Sequence, residues 1–312
     1  MTATAEIRPA GRVGRPERHQ RYSEKSKRNR RRLTIIFLLL PGLLWLALFF
    51  VLPIVTLAMM SVSTGNVGQG WSVVGDLSSY QQAFSGYLPE FLHSLEFGVA
   101  STVLALLIAY PAAYWIAFYG GEKKTAYILV VLLPFYVSSL IRTISWQFVL
   151  ADNGVIFGPL RRLGLLPSNF HVLATPVAVV GGLTYAQLPF MMLPIFAALE
   201  RVDPGFLEAS RDLYASRWET VRRIVIPLSM PGIFAGVLLT FISATGDYVN
   251  EILLGGTGTG VVGAVIRSQF LVNLDYPLAS AISLVLMVAL LIVVLAYSKA
   301  LGTDDLMGGA AV

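Results

Sequence analysis

The chain of 312 residues has no cysteine, is 55% hydrophobic and carries only 13% Asp, Glu, Lys and Arg, about half the charged share of a soluble domain. That composition excludes a disulfide scaffold and thiolate metal or iron–sulfur chemistry. The net charge of +5 does not describe a basic folded face, because residues 1–32 hold eleven of the 23 basic residues and only three acids, Glu6, Glu17 and Glu24. The tail is therefore +8 and the other 280 residues sum to −3.

Residues 1–32 contain Pro9, Gly11, Gly14 and Pro16 and almost nothing apolar, so they form a disordered basic tail with nothing to bury. A membrane segment follows directly. The tail therefore reads as a cytoplasmic anchor on anionic membrane lipid, and no nucleic-acid partner is expected.

Six apolar runs then follow in chain order, at 33–62, 97–119, 125–151, 172–199, 224–246 and 276–298. Each is long enough for a bilayer core of about 30 Å, which takes about 20 helical residues. Only Arg142 interrupts the third. The fifth is expected to start nearer Pro231, since Pro227 and Pro231 disfavour one continuous helix. A β-barrel would need alternating segments of about ten residues, which are not visible. The expected fold class is all-α, a polytopic protein with six transmembrane helices. Residues 33–301 form its membrane domain and 302–312 a short cytoplasmic tail.

With the N-terminus inside, the tail, 120–124, 200–223 and the C-terminus collect nineteen Lys and Arg. The outer segments and spans keep four: Arg142, Arg161, Arg162 and Arg267. By the positive-inside rule both termini are expected in the cytoplasm of a bacterial inner-membrane protein.

The inner loop at 200–228 is the most informative segment. Asp203 before Pro204 offers an acceptor for orphan amides and a proline at the first helical position. Beyond it, Phe206, Leu207 and Leu213 make an apolar stripe, while Arg211, Asp212, Arg217 and Glu219 stay polar. This predicts a short amphipathic helix on the inner membrane face, too charged to cross it.

Glu208-Ala209-Ser210, with Tyr214 four positions after Ser210 and Ile226-Pro227 further on, resembles the EAA loop of ABC-importer permeases. Ser210 replaces the second alanine of the motif. Tyr214 stands where the family has glycine, a residue type that disfavours the tight turn there. Further matches run in the same order. Leu38 to Leu52 is similar to the opening of the spermidine/putrescine permease branch. Pro134-Phe-Tyr-Val-Ser-Ser-Leu-Ile-Arg-Thr-Ile-Ser-Trp146 resembles that branch's third span. Leu188-Pro-Phe-Met-Met-Leu-Pro194 with Ala197-Ala-Leu-Glu-Arg-Val-Asp-Pro204 resembles the approach to its EAA loop. Gly246-Asp-Tyr-Val249, Leu253-Leu-Gly-Gly256 and Pro277-Leu-Ala-Ser-Ala281 resemble its last stretch.

The resemblance implies a permease subunit that catalyses nothing itself and holds no cofactor or metal. It would pair with an ABC ATPase dimer, a second permease subunit and an extracytoplasmic solute-binding protein. It also implies that Glu208, Ala209, Ser210, Arg211, Asp212, Tyr214, Ile226 and Pro227 belong to the segment that couples to the ATPase. The solute implied is a polyamine of the spermidine/putrescine kind. Another small solute, an amino-acid derivative or an oxyanion, stays open.

Asp247 and Glu251 lie four apart near the outer end of span five and are expected to share one helical face. A carboxylate in a membrane segment is a functional candidate by default, and two would suit a cation; the bland alternative pairs Asp247 with Arg142 as structural glue. Tyr248, Trp146 and Asp275 are further candidates for the solute path, although an aromatic near a membrane end also serves as an interfacial anchor. Arg142 reads either as a ligand for an anionic solute or as half of an ion pair.

The Gly-rich run 255–260 lacks the Gly-Lys-Ser/Thr ending of a phosphate loop. His19, His93 and His171 have no ligand spacing. A self-contained ion-coupled transporter would show mid-span charges and an internal inverted repeat, and an integral membrane enzyme would show a catalytic cluster. The sequence displays neither.

Overall fold

The computed structural model describes residues 37–167 and 169–300; the tails expected at 1–32 and 302–312 lie outside them. The first apolar run forms helix α1, Phe37–Ser61, whose part up to Leu57 belongs to one compact unit and the remaining described chain to a second. A hairpin follows, β1 (Ser63–Asn66) paired antiparallel with β2 (Gly70–Val73). The Asn66 carboxamide oxygen closes its turn by accepting from the amides of Gly68 and Gln69. Next come α2 (Ser78–Gly86), the long α3 (Leu88–Tyr119) and α4 (Lys124–Leu132), then α5 (Ser139–Leu150) and α6 (Phe157–Arg162). The rest of the chain forms α7 (Pro176–Glu200), α8 (Pro204–Asp212), α9 (Arg217–Thr245), α10 (Val249–Leu254), α11 (Val262–Leu271) and α12 (Tyr276–Ala300).

Five of these helices are long and apolar enough to span a membrane, and six spans are reached when the bent pair at 121–150 counts as one. That pair departs from the straight third span read from the sequence. It bends by 89° between Gly121–Tyr136 and Ser139–Leu150, because Val137 and Ser138 are extended (ψ 142° and 137°) after the 3-10 turn that holds Pro134.

The fifth span is also corrected. It does not wait for Pro231 but runs helically from Arg217 through both prolines to Thr245. A widened π segment, Val221–Val225, ends two residues before Pro227. The same device, Ala47–Val51, precedes Pro53 in α1. A wide turn at this position relieves the clash between the proline ring and the carbonyl four residues back, so the helix continues.

The main core lies where α3, α7 and α9 meet. Ala105, Ala109, Ala113 and Ala117 form a buried row at helical spacing on α3, against Met191, Met192, Ile195 and Leu199 of α7 and Val225 of α9. Small residues on that row let the backbones approach, which is how helices pack in lipid, where apolar burial between them supplies little. The α7–α9 crossing is closer still. A Cβ placed on Gly232 would sit 2.5 Å from both the Pro194 carbonyl oxygen and the Ala198 methyl, and one on Gly236 would sit 2.9 Å from the Met191 carbonyl oxygen. The Tyr110 hydroxyl on α3 meets the Ser229 hydroxyl on α9 at 3.2 Å, adding a polar tie inside the bundle.

A second cluster joins Ala83 and Phe91 to Val262, Leu278, Ile282 and Leu286, and a third joins Phe97, Val179, Leu183 and Val261. The Ser94 hydroxyl accepts from the Val262 amide at 2.8 Å, so α3 also positions the start of α11. In the connection after α5, Asp152 bridges Arg161 (3.3 Å) and His171 (2.6 Å).

Gly232→Ala should destabilise the protein by about 1–3 kcal/mol, through overpacking against backbone. Gly181→Ala, where nothing lies within 4 Å of the added methyl, should be neutral or slightly stabilising, as expected for Gly→Ala in a helix. Thermal denaturation of the two detergent-purified variants checks the opposite signs.

Candidate functional site

The loop between α7 and α9 is built by local rules. The Asp203 carboxylate accepts from the Gly205 amide at 2.8 Å, and Pro204 opens α8 without wasting an N–H. The helix ends in a two-bond C-terminal turn: the Ala215 amide donates to the Ser210 carbonyl (3.0 Å) and the Tyr214 amide to the Arg211 carbonyl (2.9 Å). That pattern requires a left-handed residue, and Tyr214 takes the position at φ +58°. The tight turn disfavoured by tyrosine therefore forms without glycine. Its cost is about 1–2 kcal/mol of steric strain, offset by the hydrogen bonds around it.

Ser216 then caps the next helix. Its hydroxyl accepts from the Glu219 amide while the Glu219 carboxylate accepts from the Ser216 amide, a reciprocal capping box.

Ser210 links the two helices. Its hydroxyl is buried, donates to the Leu207 carbonyl at 2.8 Å and meets the Thr220 hydroxyl in the first turn of α9 at 3.0 Å. Alanine, the residue of the motif, could not make that bond. The other members of the motif face outward: Glu208, Ala209, Arg211 and Asp212 are exposed, Ile226 is half-buried and Pro227 is exposed. Beside them lies an apolar surface made of Phe206 (54% exposed), Leu213 (81%), Tyr214 (96%) and Trp218 (69%). Four large apolar side chains are thus exposed on this one loop. Phe206 and Leu213 were legible as a stripe, whereas Trp218 was missed although it lies four residues after Tyr214.

On the other face of the bundle, α5, α7, α9 and α10 enclose a cavity of about 410 Å³. Its lining includes Arg142 and Trp146 from α5, Tyr185 from α7, Ser243 from α9, then Asp247 and Asn250. Gly182 shapes this wall: a Cβ there would lie 2.9 Å from the Asn250 carboxamide oxygen and closer to the Leu254 side chain.

Asp247 and Glu251 do not share a helix. α9 ends at Thr245, and Asp247 is the residue that caps α10. Its Oδ1 accepts from the amides of Val249 (2.8 Å) and Asn250 (3.2 Å), and its Oδ2 from the Asn250 side chain (2.7 Å). The Asn250 carboxamide oxygen in turn accepts from the Thr143 hydroxyl at 3.3 Å, tying α10 to α5. Glu251 sits half-buried in α10, outside the residues that line this cavity.

Of the other candidates, the structure brings Trp146 into the cavity, edge-on to Tyr185 at 5.4 Å. Tyr248 lines a separate cavity of about 330 Å³ under Arg267. Asp275 caps α12 by accepting from the Leu278 amide at 3.1 Å. Tyr185 and Asn250 were missed. An Asp at a helix start, three residues before an Asn, was the available signal for Asn250; Tyr185 carries none, being one aromatic in an apolar span.

Arg142 does not form the ion pair expected of it. Among the described residues no acid lies within salt-bridge distance of its guanidinium. The group lies over the Phe135 ring at 4.2 Å and near Tyr185 at 5.8 Å. Its Nε and Nη1 are shut off from solvent and have no hydrogen-bond partner.

Comparison with known proteins places this geometry among transport components. The model of the family described as "Binding-protein-dependent transport system inner membrane component" matches residues 21–301. The chain is 34% identical over 257 residues to the spermidine/putrescine transport system permease protein PotB of Escherichia coli strain K12, covering 82% of this chain and 94% of that protein. It is 36% identical over 228 residues to the inner membrane ABC transporter permease protein YdcU of the same strain, covering 69% and 72%. The fold is shared with a chain of a bacterial ABC transporter involved in the import of the acidic polysaccharide alginate. That match has a TM-score of 0.67 at 20% identity and covers 88% of this chain and 97% of the other.

Tyr214→Gly should raise the thermal stability of the loop by about 1 kcal/mol by removing left-handed strain. Tyr214→Val, β-branched at the same φ, should lower it. Hydrogen exchange over 204–220 in the purified protein reads both.

Proposed function

Because the chain belongs to the family of binding-protein-dependent transport system inner membrane components, we propose that it is the permease subunit of an ATP-driven importer of polyamines. In this reading an ABC ATPase dimer docks on the exposed face of α8, a second permease subunit completes the membrane pathway, and an extracytoplasmic binding protein delivers the solute. Both termini lie in the cytoplasm, following the nineteen basic residues on that side.

The observation that carries the reading is the construction of α8. It is a rigid, capped helix with Glu208, Arg211 and Asp212 turned outward and Ser210 turned inward onto Thr220. Closure of the ATPases displaces α8. The Ser210–Thr220 bond passes that displacement to α9, and the short link through Asp203 passes it to α7. Both helices line the 410 Å³ cavity, so the same push that closes the nucleotide sites reshapes the solute space. Alternating access needs a coupling of this kind between two sites and two states.

The cavity chemistry suits an ammonium. The Asp247 carboxylate supplies the counter-charge, and the faces of Trp146 and Tyr185 supply cation–π attraction of about 0.5–2 kcal/mol each. The similarity to PotB supports a polyamine as the solute.

Uptake of radiolabelled spermidine and putrescine, with amino acids and sulfate as controls, by the complete complex in proteoliposomes tests the solute class. Glu208→Lys should cut uptake about tenfold or more while the subunit still inserts and assembles, because the docking face changes sign. Unchanged uptake and unchanged ATPase stimulation would remove the coupling role. In the same assay Asp247→Asn, which preserves capping geometry, should raise KM for spermidine about tenfold, the value of one charge-assisted contact.

A further inference from the structure

The guanidinium of Arg142 and the carboxylate of Asp247 line one cavity without touching. Two nitrogens of the guanidinium, Nε and Nη1, are shielded from solvent and have no acceptor. A charged side chain within a membrane segment that lacks a counter-ion is costly and marks a functional candidate. On the other side, Asp247 accepts three hydrogen bonds, whereas a carboxylate has about four acceptor positions, so it can still take one strong donor.

A chain of hydrogen bonds runs from the residue beside Arg142 to Asp247. Thr143, next in sequence to Arg142, bonds the Asn250 carboxamide oxygen, and the nitrogen of that carboxamide bonds Asp247. Both side chains line the same cavity, and the arginine would have to turn off the Phe135 ring to meet the carboxylate.

We propose that Arg142 is a built-in competitor of the solute for Asp247. In the conformation described here the guanidinium is parked on Phe135 and leaves the carboxylate open to an ammonium group. When the cavity is emptied, Arg142 swings to Asp247 and closes the site against rebinding. The arrangement sets affinity from within, since each solute ammonium must displace an internal cation of the same charge, and the apparent affinity falls by the fraction of time the site is self-occupied. It also explains why a cation pathway carries a fixed arginine, which would otherwise only repel its cargo. The proposal rests on the cationic-solute reading above and adds a role for Arg142 to it.

The test is spermidine uptake by the assembled complex in proteoliposomes, with KM and kcat measured for Arg142→Gln, Arg142→Met, Asp247→Asn and the Arg142→Gln/Asp247→Asn double variant. Removing the competitor should lower KM about fivefold or more, the lower end of ordinary coupling between sites. It should also lower kcat, because nothing then helps to expel the solute. In the Asp247→Asn background the Arg142→Gln change should leave KM where Asp247→Asn alone put it.

A raised KM in both Arg142 variants would make the arginine a solute ligand and overturn the proposal. Unchanged KM and kcat, or loss of assembly by both variants, would assign it to structure and overturn the proposal equally. If Asp247→Asn weakens uptake while the Arg142 variants do not tighten it, the competitor role alone fails. If Asp247→Asn has no effect on uptake, the cationic-solute reading fails with it.

Discussion

Helix α7 approaches α3 and α9 closely because key residues facing it, a row of alanines on α3 and two glycines on α9, carry little or no side chain. Gly232 and Gly236 lie so close to the carbonyls of Pro194 and Met191 that a single methyl group has no room, and α3 presents a row of buried alanines. In a bilayer, apolar side chains lose nothing by facing lipid, so close backbone approach and shape have to hold the helices together. Everything functional in the described chain hangs on this grip. The C-terminal end of α7 leads through a short link into α8, and its Gly182 and Tyr185 form part of the cavity wall.

The two proposed sites share α7 and α9 but depend on different chemistry. The loop around α8 is a set of satisfied backbone caps beside an exposed apolar surface, the face proposed to dock the ATPase. The cavity is the reverse, with a carboxylate that keeps one acceptor position free and a guanidinium with two unpaired nitrogens. The connections between them are short and bonded: the Ser210–Thr220 contact to α9 and the three-residue link to α7.

Much of the loop could be read without coordinates, because helix starts and stops are local. Asp203-Pro204 opened α8 as its residue types require, and Glu208 to Asp212 lay on it. Tyr214 shows where residue preference is a weak guide. A left-handed position disfavours tyrosine by an amount smaller than the combined hydrogen bonds of the turn, so the turn wins. The prolines of α9 teach the same lesson. The rule that proline interrupts a helix is local, and a π segment before Pro227 removes the clash the rule assumes. The bend at 137–138 stayed hidden because its apolar residues are as suited to a straight span as to a broken one.

What the sequence determined by itself was the membrane class, the number of apolar segments, the bias of positive charge and the short capped helix between the fourth and fifth apolar runs. All of these follow from composition and short-range order. What only the tertiary structure decided was which of the scattered polar residues meet. Asp247, Trp146 and Arg142 converge on one cavity, while Glu251, Tyr248 and Asp275 do not. The break between α9 and α10 turned a presumed helical pair, Asp247 and Glu251, into a cap and a separate side chain. The stacking of Arg142 on Phe135, in place of an ion pair with Asp247, depends on where the bend puts α5. Such outcomes are set by helix crossings and breaks between residues distant in sequence, and no spacing rule along the chain encodes them.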